Sequence, residues 1–100
     1  MKLWIDDVRP APNDTYFWVV SVEQAKDLIE FAERMKDPCE LIDIDHDAGE
    51  YVKNGGDYIK LLDWLEETNR NYPIRIHSMN PVGVQNMRAI IQRNSWTEVK

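Results

Sequence analysis

Apolar residues in this chain fall into short runs separated by longer stretches of helical spacing. Lys2 to Ile5 begins an apolar run that stops at Asp6-Asp7, the pattern of a buried strand ending at a sheet rim. Val8 to Thr15 holds Pro10, Pro12 and Asn13-Asp14 and reads as a loop. Tyr16 to Val20 is aromatic and β-branched, which predicts a second strand. Ser21 then caps a helix, Gln24 completes a capping box, and Ala25, Leu28, Ile29 and Ala32 supply the apolar stripe. Asp37-Pro38 ends that helix.

Glu40 to Asp45, with Leu41, Ile42 and Ile44 apolar, predicts the third strand. His46 to Asn54 reads as a loop, and Gly55-Gly56-Asp57 is expected to open the next helix, whose buried face carries Tyr58, Leu61, Leu62 and Leu65. Pro73 to Ser78 is the fourth strand. Asn80 is a good N-cap and Pro81 sits at the first helical position, so a last helix runs to about Asn94. Thr97 to Val99 is expected as a short fifth strand. Strand–helix–strand units of this length require parallel pairing with right-handed crossovers. The expected fold is a single α/β domain over residues 1–100: an open parallel sheet of four to five strands with three helices, a loop replacing the first crossover helix. A doubly wound sheet is the economical arrangement, and its ligands bind at the carboxyl ends of the strands.

Composition changes this picture in three places. Eighteen acidic against twelve basic residues give a net charge of −6, so the whole-molecule field repels polyanions and argues against an extended nucleic-acid footprint. A single nucleotide, an RNA end or a divalent cation remains compatible with it. Cys39 is the only cysteine, which excludes a disulfide framework and a cysteine-based zinc site. No stretch is long enough to span a bilayer and no signal-peptide pattern follows Met1, so the expected setting is a reducing cytoplasm.

The predicted carboxyl ends gather the chemistry. The first strand delivers Asp6 and Asp7, the third Asp45, His46 and Asp47, and the fourth His77 and Ser78, with Asn80 just beyond. An Asp-Asp pair can serve simply as turn former and cap. With Asp45 on a neighbouring rim, the carboxylates repel one another unless a cation neutralises them. Mg²⁺ suits Asp6, Asp7 and Asp45 as oxygen ligands. A histidine in the set shifts preference toward Mn²⁺ or Zn²⁺. The only two histidines, His46 and His77, both fall at this rim and are candidates for proton transfer or ligation. Arg9 is either a phosphate clamp or a surface partner of Asp6 or Asp7. The start of the last helix, from Asn80 to Gly83, is a second anion site by its dipole. The four tryptophans read as packing, and Asp43 faces the same side as Asp45, either joining the acidic cluster or pairing with Arg75.

Asp6-Asp7 after the first strand, an Asp ending the third and Ser78 ending the fourth resemble response-regulator receiver domains. That likeness implies a compact flavodoxin-like fold, with Asp45 as phospho-accepting aspartate and Asp6-Asp7 as the magnesium pair. The chain departs from it in the missing first helix, in lacking a lysine after a fifth strand, and in His46-Asp47-Ala48-Gly49 after Asp45. Asp-Asp-x-Arg-x-x-Pro at 6–12, Asp-His-Asp-x-Gly at 45–49 and His-Ser-Met-Asn-Pro-x-Gly at 77–83 are similar to the cyclic-phosphate-processing receiver domains over nearly the whole chain. Ala48 stands where a leucine is more usual. The resemblance implies handling of cyclic phosphate ends in RNA repair or a related pathway.

The expected function is a divalent-metal-dependent phosphoesterase or phosphotransferase acting on a cyclic phosphate at a nucleotide or RNA end. Asp45, His46 and His77 would carry the chemistry, Arg9, Ser78 and Asn80 would bind phosphate or substrate, and Asp6, Asp7 and Asp45 would hold the metal. The alternatives are a signalling module that accepts phosphate on Asp45 and a phosphate-binding domain without turnover.

Overall fold

A computed structural model describes all 100 residues. The elements in chain order are β1 (Lys2–Ile5), β2 (Tyr16–Val19), α1 (Val22–Arg34), β3 (Leu41–Ile44), a 3₁₀ helix (Gly49–Asn54), α2 (Ile59–Glu67), β4 (Ile74–Ile76) and α3 (Pro81–Arg93). All strands are parallel, in the order β2-β1-β3-β4. The connection between β1 and β2 contains no helix, as the prolines and Asn13-Asp14 predicted.

Strand parity divides the sheet into two unlike faces. On one, Leu3, Ile5, Val19, Ile42, Ile44 and Ile74 are buried with residues of all three helices in a single apolar core. The right-handed rule explains why the helices share that face: β2 to β3 and β3 to β4 cross the sheet in the same direction. The doubly wound expectation therefore gives way to one helical layer, because the only connection running the other way is the loop after β1. The opposite face carries Trp4, Tyr16, Trp18, Asp43 and Arg75, none of which belongs to the apolar core.

Side-chain caps mark the starts of α1 and α3 as the sequence indicates, while α2 starts without one. Ser21 Oγ accepts from Gln24 N–H at 3.1 Å, and Gln24 Oε1 accepts from Val20 N–H at 2.9 Å. The returning bond reaches one residue before the cap, and it ends β2 at Val19 rather than Val20. Asn80 Oδ1 accepts from Gly83 N–H at 3.0 Å, with Pro81 in the first turn.

Three boundaries differ from expectation. The stretch read as a loop from His46 to Asn54 contains the 3₁₀ helix. The next helix begins at Ile59 rather than at Gly55-Gly56-Asp57, because both glycines adopt left-handed φ (116° and 93°) that no right-handed helix accommodates. Asp57 instead accepts from Ala48 N–H at 3.0 Å and closes the loop. Thr97–Val99 makes a single parallel bridge to Ile74 and no strand; Thr97 and Val99 are exposed, so no buried face holds a longer ladder. No helix is long and apolar enough to cross a membrane.

Candidate functional site

The carboxyl ends of β1, β3 and β4 lie side by side, and the ladder continues past them: Asp45 N–H donates to Ile5 O and His77 N–H to Ile44 O, each at 3.0 Å. Asp6, Asp45 and His77 follow their strands with the parity of Trp4, Asp43 and Arg75, and so belong to the polar face rather than the helical one. One ligand atom from each of these three residues lies within 4.8 Å of the others.

Asp6 is buried and fully engaged. Its Oδ1 accepts from the N–H groups of Val8 (2.9 Å) and Arg9 (2.8 Å), which tightens the turn after β1. Its Oδ2 faces His77 Nε2 at 3.0 Å. Burial pushes the Asp6 carboxyl up, but the two backbone donors and His77 together outweigh it and hold the group below the usual carboxylate range.

His77 is gripped at both ring nitrogens. Nδ1 lies 2.7 Å from Asp43 Oδ1, opposite the Asp6 contact. The other oxygen of Asp43 accepts from Arg75 Nη1 at 3.1 Å and from the Tyr16 hydroxyl at 3.3 Å, so this fully buried carboxylate has no unsatisfied oxygen. Trp4 lies flat against the imidazole, with centroids 3.9 Å apart and planes 3° from parallel. Its indole N–H donates to Arg9 O at 2.9 Å, which ties the loop after β1 onto the same stack. The histidine ring has one position open to it.

Asp7 sits beside this cluster without joining its close set. Burial raises its carboxyl above the usual range, and repulsion from Asp6, Asp45 and Asp47 adds to the rise. Gly49, at φ 56°, lies directly over it: a Cβ there would run into Asp7 Oδ2. Arg9 is half exposed and pairs loosely with Asp6, its Nε 4.0 Å from Asp6 Oδ2, the surface partnership that the sequence offered beside the phosphate clamp.

A second cluster forms where β3 meets α3. His46 Nδ1 contacts Asp47 Oδ1 at 2.9 Å, and Asn80 Nδ2 reaches both residues at 3.5 Å. The imidazole lies against Gly83, where any Cβ would overlap the ring. His46 N–H donates to Asp45 Oδ1 at 2.8 Å, so the backbone links the two clusters. Ser78 Oγ accepts from Asn80 N–H at 3.1 Å and shapes the turn into α3.

The structure thus brings together Asp6, Asp45 and His77, and separately His46, Asp47 and Asn80; Asp7 and Arg9 flank the first group. Asp43 does both things the sequence left open: it joins the cluster through His77 and pairs with Arg75. Trp4, a packing residue by its sequence, packs on the His77 ring rather than in the apolar core. The signal for both was strand alternation, which put Trp4 on the face of Asp6 and Asp43 on that of Asp45.

The chain matches a family model described as a cyclic-phosphate processing receiver domain over residues 1–93. No curated protein and no solved structure matches it.

Proposed function

This chain belongs to the cyclic-phosphate processing receiver domain family, and from that premise we propose that it is a divalent-metal-dependent phosphoesterase or phosphotransferase that opens a cyclic phosphate at a nucleotide or RNA end. The observation that carries the reading is His77, held between Asp43 and Asp6 and closing with Asp45 into one set of ligand-bearing atoms.

The donor set fits a hard cation. Asp6 and Asp45 are close enough to share one; burial is the main cause of the raised Asp7 carboxyl, and a cation would relieve the further rise that comes from Asp6, Asp45 and Asp47. Asp6, Asp7 and Asp45 would hold it, with Mg²⁺ favoured by the oxygen ligands and Mn²⁺ if His77 contributes. When bound, the cation would supply charge neutralisation at the phosphoryl oxygens.

The chain's own residues divide the rest. Arg9 pairs with a non-bridging phosphate oxygen, while at the start of α3 Pro81 has no N–H and Asn80 takes those of Gly83 and Val84, which leaves the Val82 N–H as the backbone donor for an anion nearby. Asp43 at Nδ1 fixes the His77 ring, and Nε2, which rests 3.0 Å from Asp6 Oδ2, is the working atom that must exchange that contact for the substrate. In ring opening, water adds to phosphorus and one P–O ester bond breaks. His46, whose Nδ1 is engaged by Asp47, takes the water proton, and His77 gives a proton to the departing oxygen. In the covalent variant the Asp45 carboxylate attacks phosphorus, one ring P–O bond breaks as His77 protonates the departing oxygen, and water, deprotonated by His46, then cleaves the acyl phosphate bond to free Asp45. The lone buried cysteine suits a reducing cytoplasm.

A second reading, a phospho-accepting signalling module, is favoured by Asp45 at the end of β3 and Ser78 after β4. One experiment separates them. Purified protein is incubated, with and without Mg²⁺ or Mn²⁺, with RNA oligonucleotides ending in 2′,3′-cyclic phosphate and separately with acetyl phosphate. Metal-dependent ring opening abolished by His77→Ala supports the enzyme. Stable aspartyl phosphate on Asp45 without ring opening would sink it and support the switch.

A further inference from the structure

Trp4 and Trp18 are register partners on neighbouring strands, and both belong to the polar face of the sheet. Their rings fare differently. Trp4 is buried and lies flat on the His77 imidazole, with Tyr16 edge-on beside it. Trp18 is 46% exposed, and no aromatic ring or cation lies over it. Its indole N–H is already spent, donating to Asp6 O at 2.8 Å. The N–H is the only polar group of an indole, so what Trp18 shows to water is ring carbon.

The same bond fixes where that ring sits. Asp6 faces His77 through its carboxylate and closes the ligand-bearing set with Asp45, so the indole adjoins the cluster through a single residue. Trp18 also borders the open groove between β2 and α1, with Leu28 and Phe31. Packing at that groove accounts for the covered part of the ring and leaves the exposed part without a partner.

We propose that Trp18 is a stacking platform for the base of a nucleotide whose phosphate is received by Asp6, Asp45 and His77, which makes the substrate a nucleoside cyclic phosphate rather than a sugar or alcohol cyclic phosphate. This rests on the phosphate reading of that cluster. A ligand held there by its phosphate brings to Trp18 whatever the phosphate is attached to. A π face with no free donor or acceptor rewards a flat, polarizable partner and ignores its hydrogen-bond pattern, so it suits any base and specifies none. A bare sugar or aliphatic ester has no aromatic plane to lay there. The same sheet face already holds one flat nitrogen heterocycle on an indole, the His77 ring on Trp4 at 3.9 Å with planes 3° apart. A base is uncharged, so the nearby Asp27 does not oppose it. One platform takes one base, in keeping with a net charge of −6 that disfavours a long nucleic-acid footprint.

The test titrates the intact protein, in Mg²⁺, with adenosine 3′-phosphate and with its base-free counterpart, methyl riboside 3-phosphate. The nucleotide is expected to bind about tenfold more tightly, within the range for one base stacked on an aromatic side chain. Its base should shift the Trp18 ring signals upfield in NMR spectra, and the riboside should not. Trp18→Phe should keep most of the preference and Trp18→Leu should remove it. Both variants lose the bond to Asp6 O, so the difference between them isolates the flat ring. Equal binding of the two phosphates, binding of neither, a preference that survives in Trp18→Leu, or ring shifts confined to another tryptophan overturns the proposal. Neither compound has a cyclic phosphate to open. Base-dependent binding without ring opening of cyclic ends would therefore remove the enzyme and leave the platform, and ring opening with equal binding would do the reverse.

Discussion

The two faces of the sheet come from the same strand residues taken alternately, and they behave as different materials. The helical face is aliphatic: Leu3, Ile5, Ile42, Ile44 and Ile74 are buried completely against the helices. The other face is aromatic and ionic, with Trp4 on His77, Tyr16 and Arg75 on Asp43, and Asp6 closing the line. Apolar burial is non-directional and tolerates exchange of one hydrocarbon for another of like volume. A buried carboxylate is tolerable only while each oxygen keeps its partner. One face should therefore set stability, and the other should set where a proton and a charge can sit.

The largest break in that contrast is expected from His77→Ala. Ring opening of a 2′,3′-cyclic phosphate end should fall by about 10²- to 10⁴-fold, the range for losing a positioned acid or base. Single-turnover kinetics with metal in excess would measure it; a loss of only a few-fold would remove His77 from the chemistry.

On the helical side, Leu62→Ala should lower unfolding free energy by about 2–5 kcal/mol, the usual cost of emptying a buried leucine site. Urea unfolding reads the cost directly. The folded fraction should keep its ring-opening rate, and a matching fall in kcat would show that the faces are not independent.

Gly83→Ala is smaller and tests the seam between them. The new Cβ displaces the His46 ring, with an overpacking cost of about 1–3 kcal/mol. NMR of the His46 ring should shift markedly while the His77 ring stays in place, since His77 is held by Asp43, Asp6 and Trp4 instead.

The smallest effect concerns pH. The Asp7 carboxyl is raised in the folded chain, so the folded state binds its proton more tightly than the unfolded state. In metal-free protein stability should fall as pH rises from the unfolded carboxylate range, about 3.9, through the raised folded value, and then level off. Asp7→Asn should remove that fall and leave the metal-free protein slightly more stable at neutral pH. Added Mg²⁺ should reverse the order by stabilising the wild type more. Asp6, whose carboxyl is held down, contributes the opposite sign: its stabilisation is present above the unfolded range and lost as pH falls. Urea midpoints across pH, with and without Mg²⁺, separate the two.

Much of this was legible along the chain because it rests on local rules. Ser21 and Asn80 cap helices wherever they precede an apolar stripe, and Asp6, Asp7, Asp45 and His77 stand at strand ends whatever the strands pair with. The boundaries that moved turned on conformations the composition only hints at, such as the left-handed Gly55-Gly56 pair that delays α2.

What the sequence determined by itself was the order of strands and helices and the residues each strand delivers to its end, because period and capping depend on neighbours a few positions away. Only the tertiary structure decided that all three helices share one face, that Asp43 holds His77 from below, and that Trp4 lies flat on the ring. Those facts depend on parallel pairing and its register: Asp43 sits opposite Trp4 on one side and Arg75 on the other. Residue 4, residue 43 and the 75–77 segment are remote in the chain, and only the sheet makes them neighbours.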